Sequence, residues 1–236
     1  MTKDSVTIEK ATLWKIATGI LLVLVFVLLF RNNTAAAPAT GQQPQVKADM
    51  TLFADDVVRG DKDAKVTIIE YSDPSSPFCA AAAGATEMTA YMQSRDPSWV
   101  PTLPGIFKDY VDTGKVKFVF RYYPGHGKGT DAMKILFCAN EQDKFWVLHD
   151  VFFDNQAMME AGNVAGLKQL AVQNGVDSAK LEACLTSKKY DSKLQTDVQR
   201  GQASGVQGTP GFFVNGVSVS GAVSYTDIKQ VIEAQL

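Results

Sequence analysis

Three cysteines, at positions 79, 138 and 184, carry the most reactive side chains of this chain. A thiolate attacks disulfides and binds soft metals, and its local pKa sets how readily it does so. Cys79 closes the stretch Ser76-Pro77-Phe78-Cys79. An apolar, β-branched run precedes it, Val66-Thr67-Ile68-Ile69-Glu70-Tyr71, and reads as a buried strand. An alanine run follows, Ala80 to Ala83, and reads as helix. A strand, a short turn and X-Pro-X-Cys at a helix start is a setting for a redox-active Cys-x-x-Cys pair. Here the first position is serine. The chemistry needs a thiolate there, exposed and stabilised by the helix N-terminus. A serine hydroxyl is barely ionised near neutral pH and forms no disulfide. The setting for disulfide exchange is present without its attacking group.

Glu70 lies six residues before Ser76 within the apolar strand. A buried carboxylate has a raised pKa, which suits it to proton transfer. The alternative is a polar residue held in a salt bridge. Cys79, one turn into the helix, is either a resolving thiol or an inert buried cysteine. Ser76 has three readings. It is a replacement that silences or traps an enzyme, a natural variant without redox activity, or simply a helix cap, alone or with Ser75. The third is compatible with the other two. The histidines are weak signals. His126 sits in a glycine loop, Pro124-Gly125-His126-Gly127, and His149 on an apolar helix. No Cys/His cluster has zinc-ligand spacing, and the glycine loop lacks the context of a phosphate cradle.

Two segments together resemble the DsbA-like thiol–disulfide oxidoreductases. One is Glu-Tyr-Ser-Asp-Pro-Ser-Ser-Pro-Phe-Cys, Glu70 to Cys79. The other is Gly-Val-Gln-Gly-Thr-Pro-Gly-Phe-Phe-Val-Asn-Gly, Gly205 to Gly216, similar to that family's cis-proline loop and following strand. Between them, Cys138 to Trp146 resembles the family's helical insertion. The likeness runs from about Asp55 to the C-terminus. It implies an α/β protein, a thioredoxin fold interrupted by an all-helical insertion over about 125–204. It implies that Ser76 stands where the nucleophilic cysteine belongs and that Cys79 is the resolving position. Glu70 would lie beneath the site and pass a proton to or from Cys79. Pro77, Phe78, Thr209 and Pro210 would contact a polypeptide substrate, Thr209 through its backbone in the manner of strand addition. An ordinary Gly-Thr-Pro-Gly turn is the plainer reading of that loop. Redox equivalents would come from protein thiols, so no cofactor is implied. The partners would be cysteine-containing polypeptides and a membrane or thiol redox partner.

Cys138 and Cys184 both fall on expected helices of the insertion. In an oxidising compartment a structural Cys138–Cys184 bridge is expected, with two free buried thiols as the alternative.

Composition supports one globular domain. The chain is 46% hydrophobic and 20% charged with a net charge of −2, so nucleic acid is not an expected partner. Residues 1–31 form an N-terminal appendage. Ile16 to Phe30 is uncharged, and Leu13 and Trp14 extend it past Lys15. With Lys15 and Arg31 snorkelling, residues 13–31 suit a membrane anchor. A cleaved signal ending near Ala35-Ala36-Ala37 is the alternative. Either places the domain outside the cytoplasm. Residues 32–50, rich in Ala, Thr, Gln, Asn and Pro, read as a flexible linker to a domain over 51–236.

Within that domain a helix is expected from about Pro77 to Gln93, then a proline-rich loop over Arg95 to Pro104. A short helix follows at Ile106 to Val111, ended by Gly114, then a strand at Val116 to Tyr122. Helices are expected over Asp131–Asn140 with Thr130 as cap, and around Phe145 to Phe153. Further helices are expected over Gly162–Gln173, Ala179–Thr186 with Asp177-Ser178 as cap, and Tyr190–Ser204. Asn215-Gly216 joins two strands, Phe212–Val214 and Val217–Ser220, and Tyr225–Gln235 closes the chain as helix.

Overall fold

A computed structural model describes residues 48–125 and 127–236. The apolar segment at 13–31, the linker to residue 47 and His126 lie outside the described residues. Among the described residues, no helix is long and apolar enough to cross a membrane.

Five strands form one mixed sheet: β1 (Val57–Arg59), β2 (Val66–Ser72), β3 (Val116–Tyr122), β4 (Gly211–Val214) and β5 (Val217–Ser220), in spatial order β1-β3-β2-β4-β5. β2 and β3 run parallel, with Glu70 opposite Phe120. β4 returns antiparallel to β2, with Glu70 opposite Phe212 and Tyr71 opposite Gly211. The central pair is buried almost throughout, which explains its near-continuous apolar sequence. Asn215, at φ 47°, makes the β4–β5 turn, and its side-chain oxygen accepts from Thr67 N–H at 2.9 Å.

Helices cover the sheet. Those before β3 are α1 (Pro77–Ala83), α2 (Thr86–Arg95) and α3 (Thr102–Ile106), the last running into a π-helical turn, Phe107–Val111. Six more lie between β3 and β4: α4 (Thr130–Asn140), α5 (Phe145–Asp154), α6 (Gln156–Glu160), α7 (Val164–Gln173), α8 (Ser178–Ser187) and α9 (Asp191–Ala203). α10 (Tyr225–Glu233) ends the fold. This is a thioredoxin fold interrupted by an all-helical insertion. One apolar cluster joins Phe120 and Cys79 to the interior of the helical block, including Phe137, Phe145, Phe152 and Phe153. A second packs Ile68, Phe118 and Phe212 against Leu103, Ile106, Ile228 and Ile232. Each such side chain contributes roughly 1.5–3 kcal/mol by leaving water.

Several expectations are corrected. The helix from Pro77 to Gln93 is two helices, because Gly84 adopts φ 91° and its N–H bonds back to Ala80 and Ala81. The loop read over Arg95 to Pro104 ends early, since α3 starts at Thr102. Pro104 lies in its first turn, where a missing N–H costs nothing. Thr130 is the first residue of α4 and not its cap; Gly129 holds the cap position, and the Thr130 hydroxyl lies 3.1 Å from the Tyr122 hydroxyl. β1 and α6, three and five residues long, carry too little periodicity to read from sequence. Ala48, the first described residue of the expected linker, is buried in a cluster with Ile69, Tyr71 and Val119.

A buried ion pair ties the first described residues to the sheet. Arg121 is 1% exposed and donates to both carboxylate oxygens of Asp56, at 2.9 and 2.8 Å, and to the Tyr71 hydroxyl at 3.2 Å. Burial works against its charge, but the Asp56 and Tyr71 contacts outweigh it and hold its pKa above the ordinary range.

Candidate active site

β2 delivers Glu70 and Ser72 to the interior and then breaks at Asp73-Pro74. Asp73 organises the turn that follows. Its carbonyl accepts from Ser76 N–H at 2.9 Å. One carboxylate oxygen accepts from the Ser75 N–H at 2.8 Å and hydroxyl at 2.7 Å, and the other from Gly125 N–H at 2.7 Å. The Gln156 amide donates to the Pro74 carbonyl at 2.8 Å, so α6 also holds the turn. Ser76 then caps α1 from extended backbone, its hydroxyl accepting a long 3.4 Å bond from Cys79 N–H. Pro77 takes the first helical position, where it displaces no hydrogen bond.

Exposure corrects one expectation. Residue 76 is 1% exposed, whereas Phe78 is 45% exposed, so the face offered to solvent is Pro77 and Phe78 rather than the attacking position. With only one long N–H contact and no access to water, residue 76 lacks the exposed setting that favours a thiolate.

Beneath it, Cys79 and Glu70 are both fully buried. Burial raises the Glu70 pKa from 4.5 to about 8. Neither carboxylate oxygen nor the Ser72 hydroxyl meets hydrogen-bond geometry with a partner among the described residues, though the nearby Ser72 hydroxyl partly offsets the effect of burial. Burial, and then the proximity of Glu70, push the Cys79 thiol up to about 11. At neutral pH both groups are protonated. That arrangement can hold a proton for Cys79, but it does not make Cys79 a nucleophile on its own.

The Thr209–Pro210 bond is cis, and Pro210 directly precedes β4 beside the end of β2. Gly125 lies close to both the Thr209 side chain and Asp73, and Gly129 lies close to the Asp73 carboxylate. A side chain at Gly125 would collide with the Thr209 hydroxyl, and one at Gly129 with the Asp73 carboxylate. Residue 76, Cys79, Glu70, Thr209 and Pro210 therefore converge on one end of the sheet. Cys138 and Cys184 lie elsewhere. They form a disulfide that ties α4 to α8 across a separation of 46 residues. Closing that loop stabilises the fold by about 4 kcal/mol in the chain-entropy model. His149 is buried in the helical block. Among the described residues, no cluster of His, Cys, Asp or Glu could hold a metal ion.

Sequence reasoning passed over Asp73, Gly125, Gly129 and Gln156. An aspartate before proline at a strand end was the available signal for the first. The others act only through tertiary contact.

A thioredoxin fold that sets X-Pro-X-Cys at a helix start against a Thr-Pro loop defines the thiol–disulfide exchange class. The thioredoxin family model matches residues 98–234. The chain is 28% identical over 182 residues to a putative protein-disulfide oxidoreductase of Rickettsia bellii, covering 75% of this chain and 64% of that protein. It is 27% identical over 209 residues to disulfide bond formation protein D of Bacillus subtilis, covering 84% and 82%. It thus spans less than two thirds of the Rickettsia protein's length. The crystal structure of oxidised BdbD from Bacillus subtilis superposes with a TM-score of 0.61 at 25% identity, over 77% of this chain and 92% of that one. Wolbachia pipientis α-DsbA1 has the same fold, with a TM-score of 0.64 at 20% identity over 79% and 93%. The chain belongs to the thioredoxin family and is similar to its DsbA-like members.

Proposed function

We propose that this domain is a thiol–disulfide oxidoreductase scaffold for exported polypeptides and that, with serine at position 76, this chain runs no dithiol cycle. The observation that carries the proposal is the pairing of Ser76 with Cys79, whose thiol is fully buried and pushed up to about 11. A two-cysteine cycle needs an attacking thiolate at the first position and a resolving thiol at the second. Ser76 supplies neither a thiolate nor a sulfur to bond to, and Cys79 is shielded. Pro77, Phe78 and the Thr209-Pro210 loop form the surface a substrate chain meets. The Gly221 N–H engages the Pro210 carbonyl at 2.8 Å, so the substrate would pair with the Thr209 backbone.

The domain works outside the cytoplasm, anchored through residues 1–31 and spaced by a linker. The charge-free run at Ile16 to Phe30 and the Cys138–Cys184 bridge support this, because such bridges persist in oxidising compartments. A second reading, a non-catalytic peptide-binding module, is favoured by the burial of residue 76. One pair of measurements tests the proposal. A reduced, unfolded cysteine-containing peptide should bind the native chain reversibly, without forming a mixed disulfide. The Ser76→Cys variant should lose two hydrogens by mass on mild oxidation, as residues 76 and 79 pair. A variant that forms no such bond would leave the module reading in its place.

A further inference from the structure

Glu70 and Ser72 share one face of β2, because side chains two apart along a strand point the same way. Both are fully buried. In the parallel register Phe120 lies opposite Glu70 and Tyr122 opposite Ser72. Phe120 and Tyr122 in turn share an apolar cluster with Cys79. α1 therefore sets the Cys79 thiol over the stretch of β2 that carries Glu70 and Ser72. The Ser72 hydroxyl is near enough to both groups to favour the charged form of each. The Ser72 carbonyl accepts from Tyr123 N–H at 2.9 Å, so its backbone is fixed and only the side chain is left to turn. A serine hydroxyl rotates to suit its neighbours, and it can accept twice while donating once. The other titratable groups around this layer are engaged elsewhere. Tyr122 bonds Thr130, and Asp73 accepts from Ser75 and Gly125. His149 pairs with Asp150, and Asp197 with Lys193 and Arg200.

We propose that Ser72 is the shared hydrogen-bond partner of Glu70 and Cys79, a positioning residue whose hydroxyl accepts from both while they are protonated and donates to whichever loses its proton. At neutral pH the Ser72 oxygen accepts from the Glu70 carboxyl and from the Cys79 thiol. Near pH 8, where Glu70 ionises, the hydroxyl turns and donates to the carboxylate. When the sulfur carries the charge, the hydroxyl donates to the sulfur instead. No proton passes between Glu70 and Cys79 in this arrangement, and only hydrogen bonds are made or broken. Ser72 thereby gives a buried acid and a buried thiol a partner that suits either protonation state. Without it each polar atom would be left buried and unpaired, at about 1–3 kcal/mol apiece.

The bearing on thiol exchange rests on the proposed function, but the hydrogen bonds can be read without any redox activity. The test follows the protonated-carboxyl infrared band of Glu70, assigned by its loss in Glu70→Gln, against pH in the native chain, Ser72→Ala and Ser72→Thr. Ser72→Ala removes one oxygen atom and should raise the Glu70 midpoint by about one pH unit, a tenfold effect. Ser72→Thr keeps the hydroxyl and should restore most of the native midpoint. The Cys79 S–H stretch, assigned by its loss in Cys79→Ala, should move toward the frequency of a thiol without an acceptor in Ser72→Ala, and hold its native position in Ser72→Thr. An unchanged Glu70 midpoint in folded Ser72→Ala would overturn the proposal. So would an S–H band that ignores the loss of the hydroxyl. A serine that only fills space would change unfolding stability and leave both bands in place. None of these results bears on whether Ser76→Cys makes an oxidase.

Discussion

Replacing Glu70 with glutamine should make the protein more stable, and increasingly so as pH rises. The reasoning is linkage. Glu70 holds its proton to about pH 8 in the fold but only to its ordinary 4.5 when unfolded. Between those values the folded state binds the extra proton, so stability contributed by this group is complete below 4.5 and is lost as pH rises to 8. The difference, 8 − 4.5, is 3.5 pH units, or about 5 kcal/mol in all at 1.36 kcal/mol per unit. Glu70 is fully buried, so solvent screening does not reduce the figure. Integrated between pH 5 and pH 8, the loss is about 3–4 kcal/mol. Glu70→Gln keeps the shape and removes the titration. Urea unfolding of both proteins at the two pH values, with the Cys138–Cys184 bridge intact, measures the effect. The variant's advantage should widen by about 3–4 kcal/mol from pH 5 to pH 8. A constant difference would show that Glu70 is already ionised in the fold and that the buried-acid account of this site is wrong.

Further outcomes follow from the same coordinates. Cys79, with its pKa near 11 and no exposure, should resist iodoacetamide in the native protein at pH 8 and take one label on unfolding without reductant. Mass spectrometry showing rapid native labelling would contradict this. Gly84→Ala should cost about 1–3 kcal/mol in denaturant unfolding, because φ is +91° and the new Cβ would lie 2.9 Å from Pro104 Cγ. Asp56→Ala should cost about 3–5 kcal/mol by the same method, since it leaves the Arg121 guanidinium buried without its counter-charge.

The parts of this molecule that were legible in sequence are those governed by short-range physics. Val66 to Tyr71 is apolar and β-branched because both faces are covered, and Asn215-Gly216 turns because it tolerates positive φ. Glu70 stood out because a carboxylate within such a strand needs a reason. The break at Gly84 was hidden because helix-favouring residues lie on both sides, Ala80 to Ala83 before it and Thr86 to Arg95 after it, and only the backbone torsion reveals the stop. The burial of residue 76 was hidden for a different reason. It depends on turn geometry that Asp73 builds and holds with Gly125, 52 residues away in sequence. His149 read as a packed core residue. Its packing against Phe120 is tertiary, which no local pattern encodes.

The central proposal is that this chain runs no dithiol cycle because serine occupies position 76. The most direct measurement is the rate of oxidative refolding of a reduced, disulfide-containing substrate with the native chain or the Ser76→Cys variant, pre-oxidised under identical conditions. The native chain should leave the uncatalysed rate unchanged, and Ser76→Cys should accelerate it. Acceleration by the native chain, or no acceleration by a Ser76→Cys protein shown to carry the 76–79 bond, would contradict the account.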